Sequence, residues 1–314
     1  MYTTTTMFIP LVAFALGYCL TQINGCLVAA VNRLLVHRKL DWLLGLLFAA
    51  SSSAVLLLFI SKAEISLFSM PSHVSIDASL AAGGVLLGLG ALVNGACMLG
   101  SIAEIGKGNY HFTFTLLGVL IAMLLFPLSL SIGPIEIFQT HAKDTNGIKN
   151  HVFFGLFAIA FIWGLVKLIY QQKYQMFFLL GAGVFGGLLF SANPTWSYTS
   201  VLGKLICTRS VCEFSEQDVS AIMVFLGAML GMYLKNVFCA RFSFRLAIRN
   251  FLGGILMGFG AIMIPGGNDS LLLWAMPGNA IYGVAALFIA VVTIAIGVFL
   301  EQNYKLLTME KSND

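Results

Sequence analysis

Gly83-Gly84-Val85-Leu86-Leu87-Gly88-Leu89-Gly90-Ala91 returns as Gly253-Gly254-Ile255-Leu256-Met257-Gly258-Phe259-Gly260-Ala261, at a constant offset of 170 residues. Six of the nine positions are identical, and the other three exchange one aliphatic, Met or Phe side chain for another. Glycines in register are hard to obtain by chance from apolar sequence, so the pair reads as an internal duplication. Each copy runs into a polar, glycine-rich turn. The first is Asn94-Gly95-Ala96-Cys97-Met98-Leu99-Gly100, and the second is Pro265-Gly266-Gly267-Asn268-Asp269-Ser270.

Composition sets the solvent around these copies. Of the 314 residues, 59% are hydrophobic and 10% are charged, whereas soluble domains carry about 25% charged residues. The mean hydropathy is +0.93, so lipid must surround most of the chain. A net charge of +4, spread over 17 Lys and Arg against 13 Asp and Glu, forms no long basic run, which excludes a nucleic-acid partner. Met1 to Thr6 carry no basic group ahead of the apolar stretch, so the first segment reads as retained and not as a cleaved leader.

A bilayer core needs about 20 apolar residues per helix. Nine stretches qualify: 7–31, 41–60, 79–97, 111–133, 151–170, 176–192, 219–238, 250–265 and 279–300. The expected fold is an all-α polytopic membrane protein of about nine segments, with inverted repeats over 1–150 and 151–314 inside one membrane domain. The segments 79–97, 176–192 and 250–265 are dense in glycine, which permits either close helix packing or broken, re-entrant helices.

With the N-terminus outside, the inner loops carry Arg33, Arg38, Lys39, Lys107, Lys167, Lys173, Lys235, Arg241, Arg245, Arg249, Lys305 and Lys311. The outer ones carry Lys62, Lys143, Lys149, Lys204 and Arg209, twelve against five. That bias predicts an inner-membrane protein with its N-terminus outside and its C-terminus in the cytoplasm. The two glycine-rich copies are then the third and eighth crossings, which traverse the bilayer in opposite senses. Inverted, interrupted helices meeting near the midplane predict a permeation protein with its substrate between them.

The turns resemble those of the YeeE/YedE family of sulfur-compound transporters, whose best understood members carry thiosulfate. Gly88 to Gly100 is similar to the family's glycine stretch ending in a cysteine turn. Gln22-Ile23-Asn24-Gly25-Cys26 resembles its earlier motif, and Gly258 to Gly267 its third. The resemblance implies a transporter or channel for a small inorganic sulfur anion. It also implies a third cysteine in the last turn, where this chain has Asn268 followed by Asp269.

An anion crossing lipid must have its hydration replaced, and the apolar segments hold almost no Lys or Arg, so neutral donors are required. The candidates are the thiols of Cys26 and Cys97, the amides of Asn24, Asn94 and Asn268, and backbone N–H groups at Gly95 and Gly267. Asp269 beside such a path is repulsive; it could cap a helix, partner Asn268, carry a proton or bind a cation. Cys19, which lacks a turn, and Ser51-Ser52-Ser53 read as packing. Cys207 and Cys212 fall on the outer side, where a disulfide or two free thiols are both open.

No Walker A motif occurs, and His37, His73, His111, His141 and His151 lie in loops or at segment ends. Neither an enzyme nor a metal or other cofactor is expected. Two alternatives stand beside a sulfur anion: a different small solute such as a selenium species, or a subunit relaying sulfane sulfur through Cys97 to a cytosolic sulfur-carrier protein.

Overall fold

The computed structural model describes residues 2–23, 25–63, 68–71, 76–129, 147–171, 174–194, 216–236, 238–264 and 266–310. The described part of the first half contains α1 (Tyr2–Ile23), α2 (Leu27–His37), α3 (Asp41–Lys62), α4 (Ala78–Asn94), α5 (Met98–Gly106) and α6 (Thr113–Ser129). The second half contains α7 (Gly147–Gln171), α8 (Tyr174–Ala192), α9 (Glu216–Leu234), α10 (Phe244–Met263), α11 (Asn268–Ser270) and α12 (Ile281–Glu310). A 3-10 turn, Tyr110–Phe112, precedes α6, and α11 continues as a π-helix, Leu271–Ala275.

No named strand forms among the described residues; the fold is all-α. Six helical stretches are long and apolar enough to cross a membrane: Phe8–His37, Asp41–Lys62, Ala78–Gly106, Tyr174–Ala192, Phe244–Met263 and Ile281–Tyr304. Three shorter apolar helices, Tyr110–Leu125, Phe154–Tyr170 and Asp218–Leu234, coincide with other apolar stretches of the sequence. Large apolar side chains such as Phe59, Ile159, Ile169 and Phe288 are exposed on their outer faces. A bilayer is the solvent that such a surface matches.

The structure decides the continuity of these segments. Segment 7–31 is not one helix, because α1 ends at Ile23 and α2 starts at Leu27. Conversely, the glycine-dense helices α4, α8 and α10 run unbroken. Their glycines serve close approach, and where a break follows them it lies beyond the end of α4 and of α10.

The packing explains the registered glycines. A Cβ at Gly83 would stand 3.1 Å from the Gly260 carbonyl oxygen, and one at Gly260 would stand 2.8 Å from the Gly83 carbonyl oxygen. At the other end of the contact, a Cβ at Gly90 would stand 2.8 Å from the Gly253 oxygen. Pairing 83 with 260 and 90 with 253 makes α4 and α10 antiparallel neighbours. The next glycines are matched as well: Gly84 and Gly88 face Ile289 and Thr293 of α12, while Gly254 and Gly258 face Thr115 and Val119 of α6. The same reciprocity holds between whole helices, with α4 on α12 and α10 on α6, and with α1 on α9 and α8 on α3.

Candidate functional site

Helix α4 stops because Gly95 adopts the left-handed conformation, φ 79°, and its N–H returns to the carbonyls of Ala91 and Leu92. A side chain there is excluded twice: the backbone is strained for an L residue, and a Cβ would stand 2.7 Å from the Arg249 guanidinium. Asn94 fixes the turn beyond it. Its amide nitrogen donates to the Ala96 carbonyl at 2.7 Å and to Ser101 Oγ at 2.8 Å, and its oxygen accepts from Thr115 Oγ1 at 2.7 Å. Asn94 is fully buried, so all its polar atoms are engaged within the protein. Ser101 Oγ also lies 3.1 Å from the Cys97 carbonyl, which pins the first turn of α5.

Three helices begin at the breaks. Cys26 is the N-cap of α2, Cys97 that of α5 and Gly267 that of α11; all three are extended, and none carries a side-chain cap bond. The leading backbone N–H groups of each helix therefore lack the usual Ser, Thr, Asp or Asn acceptor, and they carry the positive end of the helix dipole. Gly25, Ala96 and Gly266 each precede an N-cap, so it is Gly267, and not Asn268, that stands where the first two turns have cysteine. Asn268 is one position inside the helix.

The breaks meet. The Cys97 N–H donates to Cys26 Sγ at 3.3 Å. A Cβ on Gly100 would stand 2.9 Å from the same sulfur, so α5 can lie against Cys26 only through a glycine. Gly25, Cys97 and Asn268 line one hollow of about 10 Å³, walled by Leu46, Leu272 and Leu287. That volume holds about one water, so any larger ion requires the leucine walls to withdraw. No Lys or Arg is among the residues lining it.

Behind the third break, Ser270 Oγ donates to the Gly267 carbonyl at 2.9 Å, and Ser53 Oγ donates to the Leu273 carbonyl at 2.5 Å. The π-helix is thereby tied to α3. Asn268 Oδ1 and both Asp269 carboxylate oxygens are buried without a hydrogen-bond partner.

Away from the residues that line the hollow, two lysines lie near each other. Lys235 Nζ donates to the Gln22 carbonyl at 2.9 Å. Burial, and then the neighbouring Lys107 charge, lower the Lys235 pKa below the ordinary lysine value. Lys107 is itself held by Glu104, and Asn109 Nδ2 donates to the other Glu104 oxygen at 2.6 Å.

Of the seven candidate residues, six fall at these breaks: Cys97 and Asn268 line the hollow, Cys26 and Gly267 are the N-caps beside it in sequence, and Asn94 and Gly95 lie in the turn that carries Cys97. Asn24 lies outside the described residues, as do Cys207 and Cys212. Cys19 is buried, with its sulfur 3.0 Å from where a Cβ on Gly181 would stand. Ser53, Ser101 and Thr115 support the site without being among the candidates, as does Gly100, the last residue of the turn from Asn94 to Gly100. Ser101 has one visible signal, a hydroxyl four residues after Cys97 on the next helix.

Interrupted helices whose breaks meet at a small hollow walled largely by leucine, within a bundle of membrane-length helices, are the architecture of many membrane transporters. The chain also matches, over residues 24–202, the family model described as sulphur transport. It belongs to that family, the YeeE/YedE proteins, and is a multi-pass membrane protein of a sulfur-transporting kind. The match includes the first two breaks and ends before the third. No curated protein matches the chain.

Proposed function

We propose that the protein carries a small sulfur anion, with thiosulfate as the first candidate, through the hollow between the three breaks. The single observation behind this reading is the convergence of the first and second breaks, through Gly25 and Cys97, and of Asn268, on one buried space. Backbone N–H groups, thiol S–H groups and an amide are neutral donors. They replace the hydration of an anion and still release it, whereas a buried Lys or Arg would hold it.

Cys26, Cys97, Asn268 and the Gly267 backbone are the proposed contacts. Asn94 and Gly95 act through Cys97 as positioning residues, because the Asn94 amide is already engaged. We infer further that the halves 1–150 and 151–314 are inverted repeats in the inner membrane, with the N-terminus outside. The reciprocal glycine contacts support the first point and the distribution of Lys and Arg the second. Cys97 is only 2% exposed, which weighs against sulfur transfer to a protein carrier.

Growth on single sulfur sources tests the reading. An uptake-deficient inner-membrane host carrying the chain should grow on thiosulfate and lose growth in a Cys26→Ala, Cys97→Ala double variant. Cys97→Ser should retain part of the uptake, since a hydroxyl still donates; a sulfur relay, which needs a thiolate, would be abolished. Failure of every sulfur source to support growth, with the protein present in the membrane, would overturn the proposal.

A further inference from the structure

The donor set of the hollow leaves one buried acid without a role. Asp269 is 0% exposed, and neither carboxylate oxygen makes a hydrogen bond of good geometry. The nearest donors are its own backbone N–H and that of Ser270. Oδ1 lies 2.6 Å from where a Cβ on Gly267 would stand, so the carboxyl folds back over the start of α11. At the third break a side-chain carboxyl thus sits where an incoming anion would meet the backbone N–H groups. Asn268, one residue earlier, lines the hollow and leaves its own Oδ1 unpartnered.

Among the described residues, the two elements that pack most closely on α11, the π-helix and α5, bring no free cation to this acid. The π-helix Leu271–Ala275 has no titratable side chain. Helix α5 contributes Cys97 at its head and Glu104 near its far end, where Glu104 is held by Lys107 and Asn109. Cys26, the N-cap of α2, lies against the head of α5. A carboxylate and an anion cannot both remain charged at one dry site, because each raises the other's desolvation penalty and repels it. A protonated carboxyl removes the repulsion and presents an O–H donor instead.

We propose that Asp269 is the proton site of an anion–proton symporter, taking up one proton with each sulfur anion and releasing it with that anion. This rests on the reading that the anion passes through the hollow. On the loading side hydronium gives its proton to an Asp269 oxygen, leaving water. The resulting O–H donates to the anion, and on the far side the anion departs while the proton returns to water, which restores the carboxylate.

The test uses the purified full chain in proteoliposomes, with the potential clamped at zero by potassium and valinomycin and with radiolabelled thiosulfate as the probe. One proton per anion predicts about tenfold accumulation for each pH unit of outside acidity, because a coupled one-to-one step stops when the anion gradient balances the proton gradient. Asp269→Asn should lose that accumulation whatever its turnover. At equal pH an inward thiosulfate gradient should alkalinise the medium outside by about one proton per anion, a wild-type measurement that stands even if the variant does not fold. Equal concentrations inside and out at every pH gradient, or accumulation preserved in Asp269→Asn, would overturn symport while leaving thiosulfate transport intact. No thiosulfate flux under any gradient would overturn the transport reading itself, and symport with it.

Discussion

Asn94 is where a residue's identity and its use part company. A buried amide beside a membrane cysteine has the look of a ligand, yet every donor and acceptor it presents is bonded to Ala96, Ser101 or Thr115. Asn94→Ala takes away the acceptor of the Thr115 hydroxyl and the donor to the Ala96 carbonyl in a dry interior, and a buried unsatisfied group costs about 1–3 kcal/mol. The expected outcome is a clear fall in the thermal midpoint in detergent, together with lost uptake. Asn94→Asp should not restore either, because a carboxylate cannot donate to the Ala96 carbonyl. Gly100 gives the complementary case. Its missing Cβ leaves room for Cys26 Sγ, 2.9 Å from the position a Cβ would take. Gly100→Ala should therefore impair uptake more than stability, and adding Cys26→Ala should recover stability non-additively, as contacting sites do. Equal stability effects of Gly100→Ala with and without Cys26 would show that the contact has no consequence. The cysteines were legible because the chain has only six, and the turn glycines Gly95 and Gly267 because each adjoins an asparagine at the end of an apolar run. Ser101 and Thr115 were not, because a hydroxyl in a membrane helix gives no sign of which distant amide it meets.

The helices show a different division between what sequence displays and what packing decides. Clusters of glycine in α4, α8 and α10 are compatible with interruption or with close approach, and the cluster alone does not discriminate between them. Partner backbones do: with carbonyls within about 3 Å of a would-be Cβ, only an intact helix at close range accounts for the pattern, as at Gly83 and Gly260. The interruptions lie instead at short turns where a left-handed glycine, Gly95 or Gly266, precedes an uncapped N-terminus. Gly260→Val forces apart α4 and α10, and overpacking of this kind costs about 1–3 kcal/mol. Gly155→Ala in α7 is the control, since nothing lies within 4 Å of its Cβ position. Thermal unfolding of the two variants should separate them clearly, with Gly155→Ala unchanged or slightly stabilised. Ser53→Ala tests the neighbouring joint: it removes the donor to the Leu273 carbonyl and should loosen the π-helix that backs Asn268, read as faster hydrogen exchange across residues 271–275.

Across the whole molecule, most of the close helix contacts join the first half to the second. Helices α1 and α9, α3 and α8, α4 and α12, and α6 and α10 are paired in this way, as are α4 and α10. The hollow is itself shared, with Gly25 and Cys97 from one half and Asn268 from the other. A half expressed alone keeps the apolar faces that suit lipid but loses the close glycine contacts, which depend on shape and which lipid tails cannot reproduce. Residues 1–150 or 151–314 alone should therefore be degraded or aggregate when extracted. Coexpressed, they should copurify through a tag on either one and restore thiosulfate-dependent growth. A single half that is monodisperse in detergent, with a cooperative thermal transition of its own, would contradict this, because it would mean that the cross-half contacts are dispensable. A coexpressed pair that copurifies yet fails to transport would instead place the requirement for chain continuity in the first turn of α7, where the cut between residues 150 and 151 falls.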